Sequence, residues 1–321
     1  MNKVSVIIAS FNAGKYIKEC VESVLKQAYK EKEIIIVDGG STDNTFQEIE
    51  GFGDDFRLIK LRMEEYALKG RDFSYESFHR NTGIKNASGD YFVFLDGDDL
   101  LGEEKLQLQV KMLQENPSFG MVYSDLYYCD EKGNNIELLS KKMKLYSGKI
   151  FSRLIKGNFI PVHAAMLPRT TVEKVGGFDE NIGGSSDWEM WLRTSAYYEV
   201  GFIDKPLVKY RMHGSNISKK RYWRAMQTEV TIEKLLTMPG SYNNLRISMS
   251  QKAYLNYKAG CNYYFLNDKG KSVSSFLKAI INNPFYLKAY VFLLLRLINV
   301  PFENIRLLIS KINGNRKNNK H

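Results

Sequence analysis

Ile34-Ile35-Ile36-Val37 is apolar at every position and closes on Asp38-Gly39-Gly40. A strand with one wet face alternates apolar and polar residues, whereas one without alternation is covered on both faces, as in a parallel sheet flanked by helices. Val4–Ala9 is a second such run, and Tyr91-Phe92-Val93-Phe94-Leu95 a third, closing on Asp96-Gly97-Asp98-Asp99. Met121-Val122-Tyr123 is expected to form a fourth strand. After the first strand, Lys15–Gln27 places Tyr16, Ile17, Cys20, Val21, Val24 and Leu25 at helical spacing. The turn Asp38–Asp43 opens another helix. Strand and helix in alternation predict a doubly wound α/β sheet, with ligands at the carboxyl ends of its strands. Two of these strands end in acidic, glycine-containing turns, so Asp38, Asp96, Asp98 and Asp99 are expected to share one crevice.

The 321 residues carry a net charge of +10, which by itself points to nucleic acid or anionic lipid. That total hides a division. Residues 1–204 hold 25 Lys and Arg against 32 Asp and Glu, a net −7, while residues 205–321 hold 21 against 4, a net +17. Beyond about Arg221 the acidic turns cease and long helical patterns rich in Lys, Tyr and Leu take over. The chain is therefore expected to comprise a domain over 1–218 and a basic helical region over 219–321. In the second, Gly260, Tyr263, Phe276, Ala279 and Pro284 are spaced like a tetratricopeptide-type helical hairpin, but with no second clear copy a plain helical cap is the preferred reading. No base-reading motif or aromatic platform supports nucleic acid, so an anionic membrane surface is the expected partner of the basic half. Three scattered cysteines exclude a disulfide framework. The N-terminus shows no secretory signal, and the longest apolar run, Ala289–Leu295, has seven residues where a span needs about 20. A cytoplasmic protein, soluble or peripheral on the inner face of the membrane, is the expectation.

Asp96, Asp98 and Asp99 crowd three carboxylates at one strand end. They stay ionised readily only when a cation or hydrogen-bond donors compensate them. Hard divalent ions take such oxygen ligands together with substrate phosphates. Capping of a following helix needs one Asp, so it leaves the surplus acidity unexplained.

The segments VSVIIASFN (4–12), IIIVDGGSTDNT (34–45), RNTGIKNASGD (80–90) and YFVFLDGDDL (91–100) resemble the opening of the inverting family 2 glycosyltransferases. VGGFDE (175–180), SDWEMWLR (186–193) and YRMHGSNIS (210–218) are similar to that family's acceptor-side and closing motifs, so the resemblance covers roughly residues 3–218. It implies a GT-A fold, a Rossmann-like doubly wound mixed sheet. It implies a metal-dependent inverting transferase that moves a sugar from a nucleoside-diphosphate sugar, expected to be a UDP-sugar, to a saccharide or lipid-linked saccharide acceptor. Bacterial surface polysaccharide or glycolipid synthesis is the implied setting.

Carried over by position, the resemblance implies that Asp38 holds the uracil or ribose, with Asp72 on the base and Arg80 on base or phosphate. Asp96 meets the ribose. Asp98 binds the Mn²⁺ or Mg²⁺ that bridges the diphosphate, and His213 completes the metal shell or touches the diphosphate. Backbone groups of the Ala9–Asn12 turn contact the nucleotide, and Lys219 belongs to a basic segment that closes over it. Asp187 matches the base that takes the acceptor proton, with Glu189 ranked second; Trp188 is an aromatic expected near the acceptor, while Trp191 is expected to pack in the core. The competing enzyme is a sugar nucleotidyltransferase, which needs a Gly- and Arg-rich phosphate loop that Ala9–Lys15 lacks. A dehydrogenase needs a Gly-x-Gly-x-x-Gly turn there. A non-catalytic nucleotide-sugar-binding or interaction protein is the other alternative, and the set Asp38, Asp96, Asp98, Asp187 and His213 argues against it.

Overall fold

A computed structural model describes residues 2–62, 66, 74–214, 216, 221–237 and 247–305. Asp72, Lys219 and the tail from residue 306 onwards lie outside the described residues. The chain divides into two compact units, residues 1–219 and 220–321.

The first unit is built on a nine-stranded mixed sheet. Its strands are β1 (Val4–Ser10), β2 (Lys32–Asp38), β3 (Arg57–Lys60), β4 (Tyr91–Asp96), β5 (Leu100–Leu101), β6 (Phe119–Cys129), β7 (Asn135–Leu138), β8 (Ala165–Pro168) and β9 (Glu199–Arg211). They lie in the order β3-β2-β1-β4-β8-β6-β9-β5, with β7 paired to β6. The four strands β3, β2, β1 and β4 run parallel. β8 then runs antiparallel to both β4 and β6, and β9 is parallel to β6. Among the described residues, the helices of this unit are α1 (Ile17–Leu25), α2 (Thr45–Glu50), α3 (Tyr75–Asn86), α4 (Lys105–Glu115), α5 (Leu139–Lys142), α6 (Phe151–Leu154), α7 (Arg169–Val175) and α8 (Ser186–Tyr197).

The unbroken apolar strands are explained by what covers them. Val4, Val6, Ile8, Ile34 and Ile36 join one buried cluster with Ile17, Val21 and Val24 of α1 and Leu106 and Val110 of α4. Residues one step out of phase belong to the other face, where Ile35 and Val37 cluster with Leu61 and Tyr66. On that face α3 lies so close that a Cβ on Gly83 would sit 2.2 Å from Ile7, so any side chain there would push the helix off the sheet. Each such buried aliphatic side chain contributes about 1.5–3 kcal/mol. Both layers hold the carboxyl ends of β1, β2 and β4 in line, which brings Ser10, Asp38 and Asp96 to one edge.

The second unit contains α9 (Arg221–Thr237), α10 (Met249–Phe265), α11 (Lys269–Asn282) and α12 (Leu287–Leu297). Ser248 and Gln251 form a reciprocal capping box that starts α10, and the Asp268 side chain accepts from Lys271 N–H at 2.9 Å to start α11. Gly260 lets the two helices meet, since a Cβ there would lie 2.5 Å from the Phe276 ring. Ser272 Oγ donates to the Gly260 carbonyl at 2.9 Å across the same contact. Phe276, Tyr264 and Phe292 are the centre of this unit's core. Among the described residues, no helix is long and apolar enough to cross a membrane.

Candidate active site

The turns after β1, β2 and β4 are sewn to one another. Asp38 is fully buried, and its carboxylate accepts from Gly40 N–H (3.0 Å), Ser41 N–H (2.7 Å) and Ser41 Oγ (2.6 Å), so it shapes the loop that follows it. Asn12, in left-handed backbone at φ 50°, accepts from Thr42 N–H at 2.9 Å through Oδ1, and its own N–H donates to Ser41 Oγ at 2.8 Å. The Ala9 carbonyl accepts from Gly97 N–H at 3.0 Å. Behind the Asp38 loop, His79 Nε2 lies 2.8 Å from Tyr66 Oη. Burial, with Arg80 next, lowers His79 to about 4, so this ring is neutral at pH 7.

The turn after β4 collects charge. Arg80, buried on α3, donates to Asp96 Oδ1 at 2.8 Å and lies 5.6 Å over the Phe178 ring. Asp98 Oδ2 lies 2.8 Å from His213 Nε2. Burial and the adjacent charges of Asp99 and Asp96 push Asp98 up to about 7, and His213 opposes the shift only in part. Asp99 turns inward, accepting from Arg211 N–H at 2.8 Å, and Asp99 Oδ2 lies 3.1 Å from His163 Nδ1. Burial lowers the His163 ring, but Asp99, Asp96 and Asp98 outweigh it and hold the ring above its usual value. His163 also stacks on Tyr210, with centroids 5.0 Å apart at 16°.

Sequence reasoning missed two of these groups. His163 is in the short turn Val162–Ala164 just before β8, and because β8 runs against β4 its start, not its end, meets the Asp96–Asp99 turn. Arg211 closes β9. Its Nε donates to the Asp98 carbonyl (2.9 Å), and its two terminal nitrogens donate to the Glu131 carbonyl (2.5 Å) and Glu19 Oε2 (2.6 Å). Tyr210-Arg211, one residue short of the closing histidine, was the available signal for Arg211. Nothing in the sequence around His163 marks it.

Asp187 stands half-buried in the first turn of α8. Its Oδ2 accepts from Asn158 Nδ2 at 2.9 Å and its Oδ1 from Trp188 N–H at 2.6 Å. Burial raises it above the ordinary carboxylate range, against the pull of the Arg80 charge. One guanidinium thus bonds Asp96 and acts electrostatically on Asp187, which ties the β4 turn to the start of α8. Glu189 is occupied elsewhere: fully buried, it pairs with Arg193 at 2.8 Å, and that guanidinium also holds the carbonyls of Gly176 (3.1 Å) and Gly177 (2.7 Å). Trp188 and Trp191 are core residues whose indole N–H groups donate to Leu154 O (2.7 Å) and Ile160 O (2.9 Å).

A divalent cation fits this donor set. Asp98, held high by burial and by the adjacent charges of Asp99 and Asp96, and His213 offer a hard oxygen and an imidazole within 2.8 Å of each other. Deeper in, the ligand atoms of Asp96, Asp99 and His163 come within 4.8 Å of one another, and the buried His163 Nε2 lacks a hydrogen bond.

The family model for "Glycosyl transferase family 2" matches residues 5–176. The chain is 35% identical over 212 residues to an uncharacterized glycosyltransferase of Rickettsia conorii, covering 66% of this chain and 33% of that one. An uncharacterized glycosyltransferase of Methanocaldococcus jannaschii is 30% identical over 213 residues, covering 65% and 70%. The chain spans about a third of the length of the Rickettsia conorii relative. Among solved structures, S. aureus TarS 1–349 in complex with UDP-GlcNAc superposes with a TM-score of 0.60 at 18% identity, covering 87% of this chain and 81% of that one. The mannosyltransferase PcManGT from Pyrobaculum calidifontis, in complex with GDP-Man and Mn²⁺, superposes with a TM-score of 0.58 at 17% identity, covering 94% and 82%. The mixed sheet and its acidic edge define a GT-A fold followed by helices. The chain belongs to glycosyl transferase family 2.

Proposed function

We propose that this protein is a metal-dependent, inverting glycosyltransferase that takes a sugar from a UDP-sugar and attaches it to a hydroxyl of a saccharide or lipid-linked saccharide, in bacterial surface polysaccharide or glycolipid synthesis at the cytoplasmic side of the membrane. The observation that supports this reading most is the shared Arg80 environment of Asp96 and Asp187, one on the nucleotide-side turn and the other at the start of α8. In inversion, the acceptor oxygen attacks the anomeric carbon as the carbon–oxygen bond to the diphosphate breaks. Asp187 takes the hydroxyl proton, and its raised pKa brings it nearer the operating pH, where a general base is most effective. Asp98 and His213 would hold Mn²⁺ or Mg²⁺, which offsets charge on the departing nucleoside diphosphate.

The remaining roles are carried over from the family resemblance. The loop shaped by Asp38 receives the uracil and ribose, helped by Asp72, and Asp96 meets the ribose. Arg80 adds positive charge near the phosphates, and backbone groups of Ala9 and Asn12 contact the nucleotide. Lys219 belongs to the segment that covers the diphosphate and keeps water out. UDP as the donor nucleotide is supported by the TarS complex, whose fold this chain shares, although PcManGT carries GDP-Man on the same fold.

Calorimetric titration of UDP with and without Mn²⁺ tests the donor side. Affinity that does not depend on the metal would overturn it. Asp98→Ala should lose the metal-dependent part. Asp187→Asn should bind UDP-sugar normally and transfer about 10²–10⁴-fold more slowly, the range a general base supplies. Turnover near that of the wild type would remove Asp187 from the base role. A screen of UDP-, GDP- and TDP-sugars for donor hydrolysis identifies the substrate.

A further inference from the structure

Helix α12 is apolar on two opposite sides. Its inner side carries Ala289, Phe292 and Arg296: the Phe292 ring lies 5.4 Å from that of Tyr257, and the Arg296 guanidinium 4.6 Å over Tyr264. Its outer side carries Leu287 (74% exposed), Val291, Leu294 (60%) and Ile298 at spacings of four, three and four residues, which is one continuous stripe. Phe285, in the turn that leads into the helix, is 89% exposed. Scattered exposed apolar residues are ordinary, but a contiguous stripe with a protruding aromatic at its head marks a binding surface.

Charge indicates what the surface binds. From Lys269 to Ile298 there are five basic residues and no acid. Lys278 and Lys288 are exposed on either side of the Phe285 turn. Apolar side chains flanked by lysines match a layer of anionic headgroups over acyl chains. Tyr290, half in solvent beside the stripe, has the amphipathic ring that settles at headgroup depth. At 11 residues the helix is too short to span, so it would lie along the surface.

We propose that the outer face of α12, with Phe285 and the neighbouring lysines, docks on an anionic lipid bilayer. The purpose of the contact rests on the lipid-linked acceptor of the reading above; its physical basis does not. The test uses the full chain, with sedimentation against phosphatidylcholine vesicles with and without phosphatidylglycerol, and UDP titration in parallel. Wild type should partition onto the anionic vesicles only. Val291→Ser with Leu294→Ser should reduce that partitioning about tenfold or more, as should Lys278→Glu with Lys288→Glu, and UDP binding should not change in either variant. Both pairs are exposed, so folding should be preserved. The proposal is overturned if the wild type stays in solution, if the Ser variant partitions like the wild type, if neutral vesicles bind as well as anionic ones, or if the Ser change abolishes self-association of the chain rather than lipid binding. Absent UDP affinity in the wild type would refute the donor reading and leave the vesicle result untouched.

Discussion

Arg211 is 1% exposed and commits each guanidinium nitrogen to a different part of the site, while its ring-side face lies 4.7 Å over Tyr16. Two of its acceptors are main-chain carbonyls, one of them belonging to Asp98. Arg211→Leu removes a buried guanidinium that donates three hydrogen bonds, each worth about 0.5–1.5 kcal/mol net. We expect urea unfolding to show a loss of about 3 kcal/mol, and a change below about 1 kcal/mol would mean that water replaces the side chain. Asp187 makes a prediction about pH. Its native pKa is raised, so the base form is lost on acidification at a higher pH than an ordinary Asp would give. The acid limb of the pH–rate profile should therefore lie above pH 3.8, and Arg80→Met, which removes a charge that lowers this pKa, should move the limb further up. A limb unmoved by that change would separate Arg80 from the base. At this scale the sequence was legible where acids cluster, because uncompensated charge at a strand end has few uses. It was opaque for Glu189, which sits two residues from Asp187 and is consumed by Arg193, a pairing that only the packed helix decides.

The elements were read less evenly. The strands β1, β2 and β4 could be recognised because burial on both faces removes the polar alternation. β8 and β9 could not: β8 has four residues, and β9 mixes exposed and buried positions, so neither leaves a period. That is why His163 escaped notice. A rule that looks for ligands where strands end overlooks a side chain that precedes a strand of opposite sense. At the far ends of β1 and β2, burial would raise Glu33, but donors from Ser5, Ser88 and Lys3 prevail and hold it down at about 2. Because the native pKa is depressed, the stability it contributes is complete above pH 4.5 and is lost as pH falls from there towards about 2. Glu33→Gln should flatten this part of the acid-unfolding slope, and an unchanged slope would place the acid sensitivity elsewhere. In the helical unit, Gly260→Ala drives a methyl group into the Phe276 ring. Overpacking of this kind costs about 1–3 kcal/mol, which exceeds the gain of up to about 1 kcal/mol from helix propensity. Gly260→Ala should therefore lower the melting temperature, and Phe276→Leu in the same chain should restore part of it.

The whole chain holds two units, each with its own buried cluster. Saturating UDP and Mn²⁺ at about 100 times Kd should stabilise the unit that binds them by about 2.7 kcal/mol. Calorimetry is expected to show one transition moving and another staying, whereas a single transition shifting as a whole would show the units unfold together. The charge division between the two halves was plain in the sequence, yet composition gave no hint of which surface carries the exposed stripe, because that depends on how α12 rolls against α10 and α11. The reversal of strand direction between β4 and β8 has a consequence for divergence. Loops after β1, β2 and β4 approach the crevice as strand exits, whereas the segment of residues 139–164 approaches as the lead-in to β8. A lengthening or shortening of that lead-in would move Asn158 and His163 against Asp187 and Asp99 while the register of β1, β2 and β4 stays fixed.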